Sequence, residues 1–346
     1  MHPLAALCCC LVRSQPIGRV AAPTAFVSTF ETKQYEPSHG PARFVTLFIP
    51  GNPGLVDFYG GFGKALADAS QSRVVLVGFA GHLGRQRASR RDRHQTPFDL
   101  NAQLDHCFTL AQKIAADAAL QKVPFVLVGH SIGAWIAIKV ACRMGEDASR
   151  SKAAAASPPS DVSDAVERDA TPQPAATLGL LPFLSNPHED ASFESKYRAM
   201  ARYGAFIPAV AAAASLGARL LPRRVLRRLL SAQLEAMEPA SEAVVFEQLL
   251  CFGALRNYLS LGRDEFEQLE PPFDWDHVLE PLDGAGGAQG VGASPRRLRG
   301  GGSLALLCSD ADEWTSSRVI SEAMQANTHT HTHTHTHART HARTHA

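Results

Sequence analysis

Three short apolar runs constrain this chain more than anything else in it. They lie at 44–49, 73–79 and 124–128, and each is about as long as a strand and rich in Val, Leu, Ile or Phe. Each ends at turn residues: Pro50-Gly51-Asn52-Pro53-Gly54 after the first, Ala80-Gly81-His82 after the second, Gly129 after the third. Between and after them, residues 55–69, 100–120 and 132–143 carry apolar side chains at helical spacing. A strand with one wet face alternates polar and apolar residues. These runs do not, so both faces need cover. Strand–helix alternation with such strands specifies a mostly parallel sheet with helices on both sides, an α/β fold.

The chain has 346 residues, enough for one large α/β domain, and 45% of them are hydrophobic. Residues 1–42 read as a poorly ordered leader or targeting segment: the first thirty hold Arg13 and Arg19 and no acid. The domain itself is expected over 43–327. Within it, 146–176 is rich in Ala, Ser, Pro and Asp and reads as a loop insertion, and 281–302 as a Gly-rich insertion. A strand is expected at 178–184, a helical stretch at 199–230 within a helical cap of about 195–260, and a late strand at 303–308. Leucines flanked by arginines at 220–230 suit either a cap packed on the core or an amphipathic surface on lipid. Residues 328–346 are a Thr-His repeat with no apolar face, which cannot join a core; it reads as disordered, in the manner of a translated dinucleotide repeat.

Charge excludes some function classes. The formal net charge is +1, so no global field draws the chain to nucleic acid. Its 7 cysteines include no C-x-x-C pair and no metal-ligand spacing, which argues against a zinc site and a disulfide framework. No cofactor is implied.

The chemistry centres on Gly129-His130-Ser131-Ile132-Gly133. A G-x-S-x-G pentapeptide by itself recurs by chance. Here it follows an apolar strand and opens a helix, the context in which a strained turn lifts a serine Oγ above a sheet. Ser131 is the expected nucleophile. The N–H of Ile132 is one expected oxyanion donor. The second should come from the loop after the first strand, where Pro53 has no N–H, leaving Asn52. An acid belongs after a late strand, and Asp310 and Asp312 both follow 304–308. The base should lie further on, after a final strand. Past Trp314 there is only a short helix-like segment at 317–326 and then the repeat, so no scaffolded histidine is evident. His82 and His130 are poor substitutes, one in an early loop and the other turned away from the serine.

Several of these pieces together resemble the lipid droplet-associated hydrolase family of serine hydrolases. The resemblance rests on Phe48-Ile49-Pro50-Gly51-Asn52-Pro53-Gly54 followed by Phe58-Tyr59 and Phe62, on Ala80-Gly81-His82, on Leu100-Asn101-Ala102-Gln103-Leu104-Asp105-His106, and on the elbow at 126–134. It is strong over 44–143 and loose over 178–265. Asp312-Glu313-Trp314 resembles the family's D-x-W, which makes Asp312 the preferred acid over Asp310. The resemblance implies an α/β-hydrolase fold and ester hydrolysis of neutral lipids, sterol esters or acylglycerols. It also implies a peripheral place on lipid droplets and the endoplasmic reticulum, with a cap that touches lipid. Two rivals remain: a hydrolase-fold scaffold on that surface with an incomplete triad, and another acyl-transfer enzyme such as a thioesterase.

Overall fold

The structure, a computed structural model, describes residues 30–83, 97–156, 172–185, 204–235, 237–269, 273–281, 296–299 and 301–308. Their centre is a six-stranded sheet. In chain order its strands are β1 (Thr32–Tyr35), β2 (Phe44–Ile49), β3 (Ser72–Val77), β4 (Phe125–His130), β5 (Ala176–Leu180) and, after two short strands elsewhere, β8 (Ser303–Leu307). The spatial order is β1-β3-β2-β4-β5-β8. All neighbours are parallel except β1, which pairs antiparallel with β3.

The expected double cover is present. Val45, Leu47, Ile49, Val75, Val77, Phe125 and Leu127 point into one core, shared with α2 (Leu100–Leu120) and α3 (Ile132–Ala156). Their alternates Phe48, Val74, Leu76 and Val128 point into a second core with Ala67 of α1 (Gly60–Ser70) and with Tyr35 of β1. Each fully buried Leu or Ile here contributes about 1.5–3 kcal/mol relative to exposure. Helix α2 starts where it does because the Asp99 side chain caps it, accepting from Ala102 N–H at 2.7 Å.

The cap holds α4 (Ile207–Leu220), α5 (Arg223–Leu229), α6 (Ser231–Leu234), α7 (Pro239–Val244), a π-helical turn (Val245–Leu249) and α8 (Phe252–Gln268). Helix α4 lies along α8, and α8 also meets α2. After α9 (Trp275–Val278), β6 (Leu279–Pro281) pairs antiparallel with β7 (Arg296–Leu298).

Several expectations need correction. The proposed leader reaches too far: Thr32–Tyr35 is β1, because the open edge of β3 offers a ladder partner that its mixed sequence does not advertise. The proposed insertion at 146–176 starts too early, since the Ala-rich sequence carries α3 on to Ala156, and Ala176 already belongs to β5. Helix 199–230 is broken: Leu221 is extended (φ −88, ψ 139), as a residue before proline prefers, and a new helix begins after Pro222. The cap continues past 260 to the end of α8. The Gly-rich insertion at 281–302 contains β7. The segment 317–326 and the Thr-His repeat lie outside the described residues.

Candidate active site

Ser131 sits at φ +54, in the left-handed region that non-glycine residues seldom enter. The turn is held from both sides. Its N–H donates to Leu180 O at 3.0 Å, and its C=O accepts from Ala134 N–H (2.9 Å) and Phe183 N–H (3.2 Å). The flanking glycines are there for close approach. A Cβ on Gly129 would stand 2.2 Å from Gly133 O, and one on Gly133 would stand 2.3 Å from Ile49 O. Any side chain at either position would force strand and helix apart. The result is a half-buried serine at the C-terminal end of β4, at the mouth of a helix.

The loop after β2 lies against this turn: a Cβ on Gly51 would be 3.0 Å from Ser131 Cβ and 2.8 Å from His130 Nδ1. Gly51 N–H donates to Tyr59 OH at 3.1 Å, and that hydroxyl shares a 3.0 Å hydrogen bond with His130 Nδ1. The Asn52–Pro53 peptide is cis, and Gly54 N–H closes the turn onto Gly51 O at 2.8 Å. Asn52 Nδ2 donates to Tyr258 O on α8 at 3.1 Å. The backbone N–H groups of Asn52 and Ile132 have no acceptor among the described residues. For Ile132 this follows from its place in the first turn of α3.

The histidines of the core are spoken for. His82 Nδ1 donates to Pro53 O, and burial pushes its pKa down to about 4. His106 Nε2 donates to Gly78 O at 3.3 Å and burial has the same effect, again to about 4. Desolvation takes His130 to about 4 as well. All three rings are neutral near pH 7, and none is hydrogen-bonded to Ser131.

Asp310 and Asp312 lie outside the described residues. The strand leading to them is informative nonetheless. His130, Leu180 and Leu307 occupy one row across β4, β5 and β8, so the chain leaves β8 level with the elbow and two strands away, about 10 Å. Among the described residues no three His, Cys, Asp or Glu side chains gather as a metal site.

Some neighbours carried no sequence signal. Asn257 on α8 accepts from Phe98 N–H (3.2 Å) and donates to Gly81 O (3.0 Å), clamping the loop after β3. Glu265, also on α8, is only 9% exposed, and its Oε1 has no hydrogen-bond partner among the described residues. In the sequence both belong to a polar-looking helix, and charged residues there read as solvated. Tyr59 was visible only through its place in the Phe58-Tyr59 pair.

A parallel sheet of this order, with a serine on a left-handed turn between its fourth strand and the next helix, defines an α/β-hydrolase. The chain belongs to the lipid droplet-associated hydrolase family, whose model, "Lipid-droplet associated hydrolase", matches residues 42–344. It is 30% identical over 119 residues to a lipid droplet-associated hydrolase of Dictyostelium discoideum, covering 32% of this chain and 36% of that protein. To the Gallus gallus protein of the same name it is 32% identical over 112 residues, covering 30% and 33%. The matched segments thus span about a third of the length of these curated relatives. Among solved structures, a soluble variant of monoglyceride lipase from Saccharomyces cerevisiae with a substrate analog aligns at TM-score 0.49 and 11% identity, covering 90% of this chain and 83% of that one. The N-formylmaleamic acid deformylase of Pseudomonas putida S16 aligns at TM-score 0.45 and 15% identity, covering 88% of each.

Proposed function

We propose that this chain is a serine hydrolase that cleaves carboxylic esters of neutral lipids, sterol esters or acylglycerols, with Ser131 as nucleophile. The observation that carries the reading is the backbone of Ser131, held left-handed beside two idle amides, those of Ile132 and Asn52. Ser131 Oγ adds to the acyl carbon while its proton passes to a base. The carbonyl oxygen, now negative, is stabilised by the two N–H groups. Collapse expels the alcohol, which takes the proton, and water then releases the acid from the acyl-serine. None of His82, His106 and His130 is hydrogen-bonded to Ser131, so the base proposed is another histidine. Asp312 is the acid proposed to orient it, reached from the end of β8.

The place of action proposed is the surface of a lipid droplet or the endoplasmic reticulum, bound peripherally. No helix among the described residues is long and apolar enough to cross a membrane. Helices α4 and α5 and the turn before them, however, direct large apolar side chains outward: Phe206 is 59% exposed, Leu216 56%, Leu220 72% and Leu229 67%. Arg219, Arg223, Arg224 and Arg228 stand among them. Apolar side chains ringed by arginine suit the boundary between headgroups and acyl chains. The domain proposed is the one expected at 43–327, now begun at β1.

A second reading is favoured by the three committed imidazoles: a hydrolase fold retained as a scaffold on the same surface. A fluorophosphonate probe on the full chain separates the two. We expect covalent labelling of wild type, abolished in Ser131→Ala, with ester turnover falling by on the order of 10⁴-fold. Wild type that stays unlabelled favours the scaffold.

A further inference from the structure

We propose that Tyr59 is a positioning residue for the oxyanion site: its hydroxyl joins the loop after β2 to His130, the residue before Ser131, and so fixes one wall of the site against the other. The role rests on the reading of Ser131 as nucleophile.

An oxyanion site works when its donors already stand where the charge will appear. Here the two donors belong to separate parts of the chain. Ile132 N–H follows the elbow, and Asn52 N–H belongs to the loop after β2. Loop and elbow touch, since a Cβ on Gly51 would stand 3.0 Å from Ser131 Cβ and 2.8 Å from His130 Nδ1. Touching atoms limit how near two segments come, but they do not orient the peptides. The Tyr59 hydroxyl does. It accepts from Gly51 N–H at 3.1 Å and meets His130 Nδ1 at 3.0 Å. Gly51 stands immediately before Asn52, and His130 immediately before Ser131. The link therefore lies one residue from a donor on one side and one residue from the nucleophile on the other.

The ring is set in place by its surroundings. Tyr59 closes a short 3-10 helix (Val56–Tyr59) just before α1. It packs on Phe48 of β2 with ring centroids 5.1 Å apart, and lies 5.8 Å from the His130 imidazole. Strands β2 and β4, which carry Phe48 and His130, are neighbours in the sheet. A phenylalanine at position 59 would keep this packing. It would lack the oxygen that Gly51 N–H and His130 Nδ1 share, and both would lose that partner.

The protons run in one direction. Gly51 N–H can only donate, so the hydroxyl oxygen accepts there. The hydroxyl hydrogen goes on to His130 Nδ1, and the sequence Gly51 N–H, Tyr59 O–H, His130 Nδ1 polarises each bond in the same sense. Burial pushes the His130 pKa down to about 4, so near pH 7 the ring is neutral, with Nδ1 accepting and Nε2 carrying the proton.

The test compares full-length wild type with Tyr59→Phe in fluorophosphonate labelling and in turnover of p-nitrophenyl butyrate. We expect labelling to slow about tenfold, and kcat to fall about tenfold with KM unchanged, because the oxyanion forms only after attack. That is less than the roughly 10²–10³-fold lost when a donor is deleted, since the donor here is loosened and not removed. Nitrogen-15 NMR of the wild-type histidines needs no stable variant of Tyr59. The resonance assigned to His130, by its loss in His130→Gln, is expected to show the proton on Nε2. A wild type that neither labels nor turns over the ester overturns the reading of Ser131 and the positioning role with it. A wild type that labels while Tyr59→Phe matches it overturns the positioning role alone, as does a loss confined to KM or a His130 proton on Nδ1.

Discussion

The sheet with its elbow and the cap differ in what they bury and what they leave exposed. Between β2 and α3 the buried side chains are mostly apolar, with Thr46, Ser72, His82, Gln103 and His106 as the buried polar ones, and backbone passes so close to backbone that Gly129 and Gly133 admit no Cβ. In the cap, α8 buries Asn257, Ser260, Asp264 and Glu265, while α4 and α5 leave Val210, Leu216, Leu220 and Leu229 in the open. The cap thus buries polar groups on one helix, beside Leu255, Leu261 and Phe266, and exposes leucines on two others. The polar residues of α8 fasten the loops around Ser131, and the leucines of α4 and α5 carry the lipid contact proposed above. The core is built for one rigid arrangement, the cap for joining that arrangement to something else.

The sharpest way to break this contrast is to add one methyl group to the core. Gly133→Ala drives a Cβ into Ile49 O, and we expect a loss of about 3–5 kcal/mol in urea unfolding. A variant as stable as wild type would mean that the elbow is loose and the comparison false. Protonation of the buried imidazoles comes next. His82 and His106 have folded pKa values lowered to about 4, so the unfolded chain binds protons first. Stability is full above pH 6.5 and falls as pH drops from there toward 4. His106→Gln, which retains a donor for Gly78 O, should flatten part of that slope in a pH series of unfolding midpoints.

The smallest effect on stability should come from the cap's outer face. Leu220→Ser with Leu229→Ser should change unfolding free energy by no more than about 0.5 kcal/mol, because neither side chain is buried. The same pair should lower partition onto vesicles of phosphatidylcholine and phosphatidylserine by about tenfold. A large loss of stability would show these leucines to be structural, and unchanged partition would remove α4 and α5 as the docking face.

Much of the core was legible because its signals are local. Helix 100–120 is found at Leu100–Leu120, and the three apolar runs are β2, β3 and β4 to within two residues. The G-x-S-x-G turn needed no distant information either, since its glycines are demanded by atoms of adjoining strand and helix. The loop at Asn52 was read correctly as the neighbour of Ser131, because consecutive strands of a parallel sheet end on one side. Strand β1 was missed because Thr32-Lys33-Gln34-Tyr35 has no strand pattern until β3 offers it an edge. Glu265 and Asn257 were missed because a charged or amide residue on an amphipathic helix looks solvated whichever way the helix is turned.

The sequence by itself therefore determined a parallel sheet, its left-handed serine and the family to which the chain belongs. These follow from residue patterns whose physical cause lies within a few positions. Only the tertiary structure decided which face of α8 meets the loops, which leucines stay outside, and that the Asn52 side chain is fastened to the backbone of Tyr258. Those outcomes depend on contacts between residues as far apart as 52 and 258, which no local period encodes.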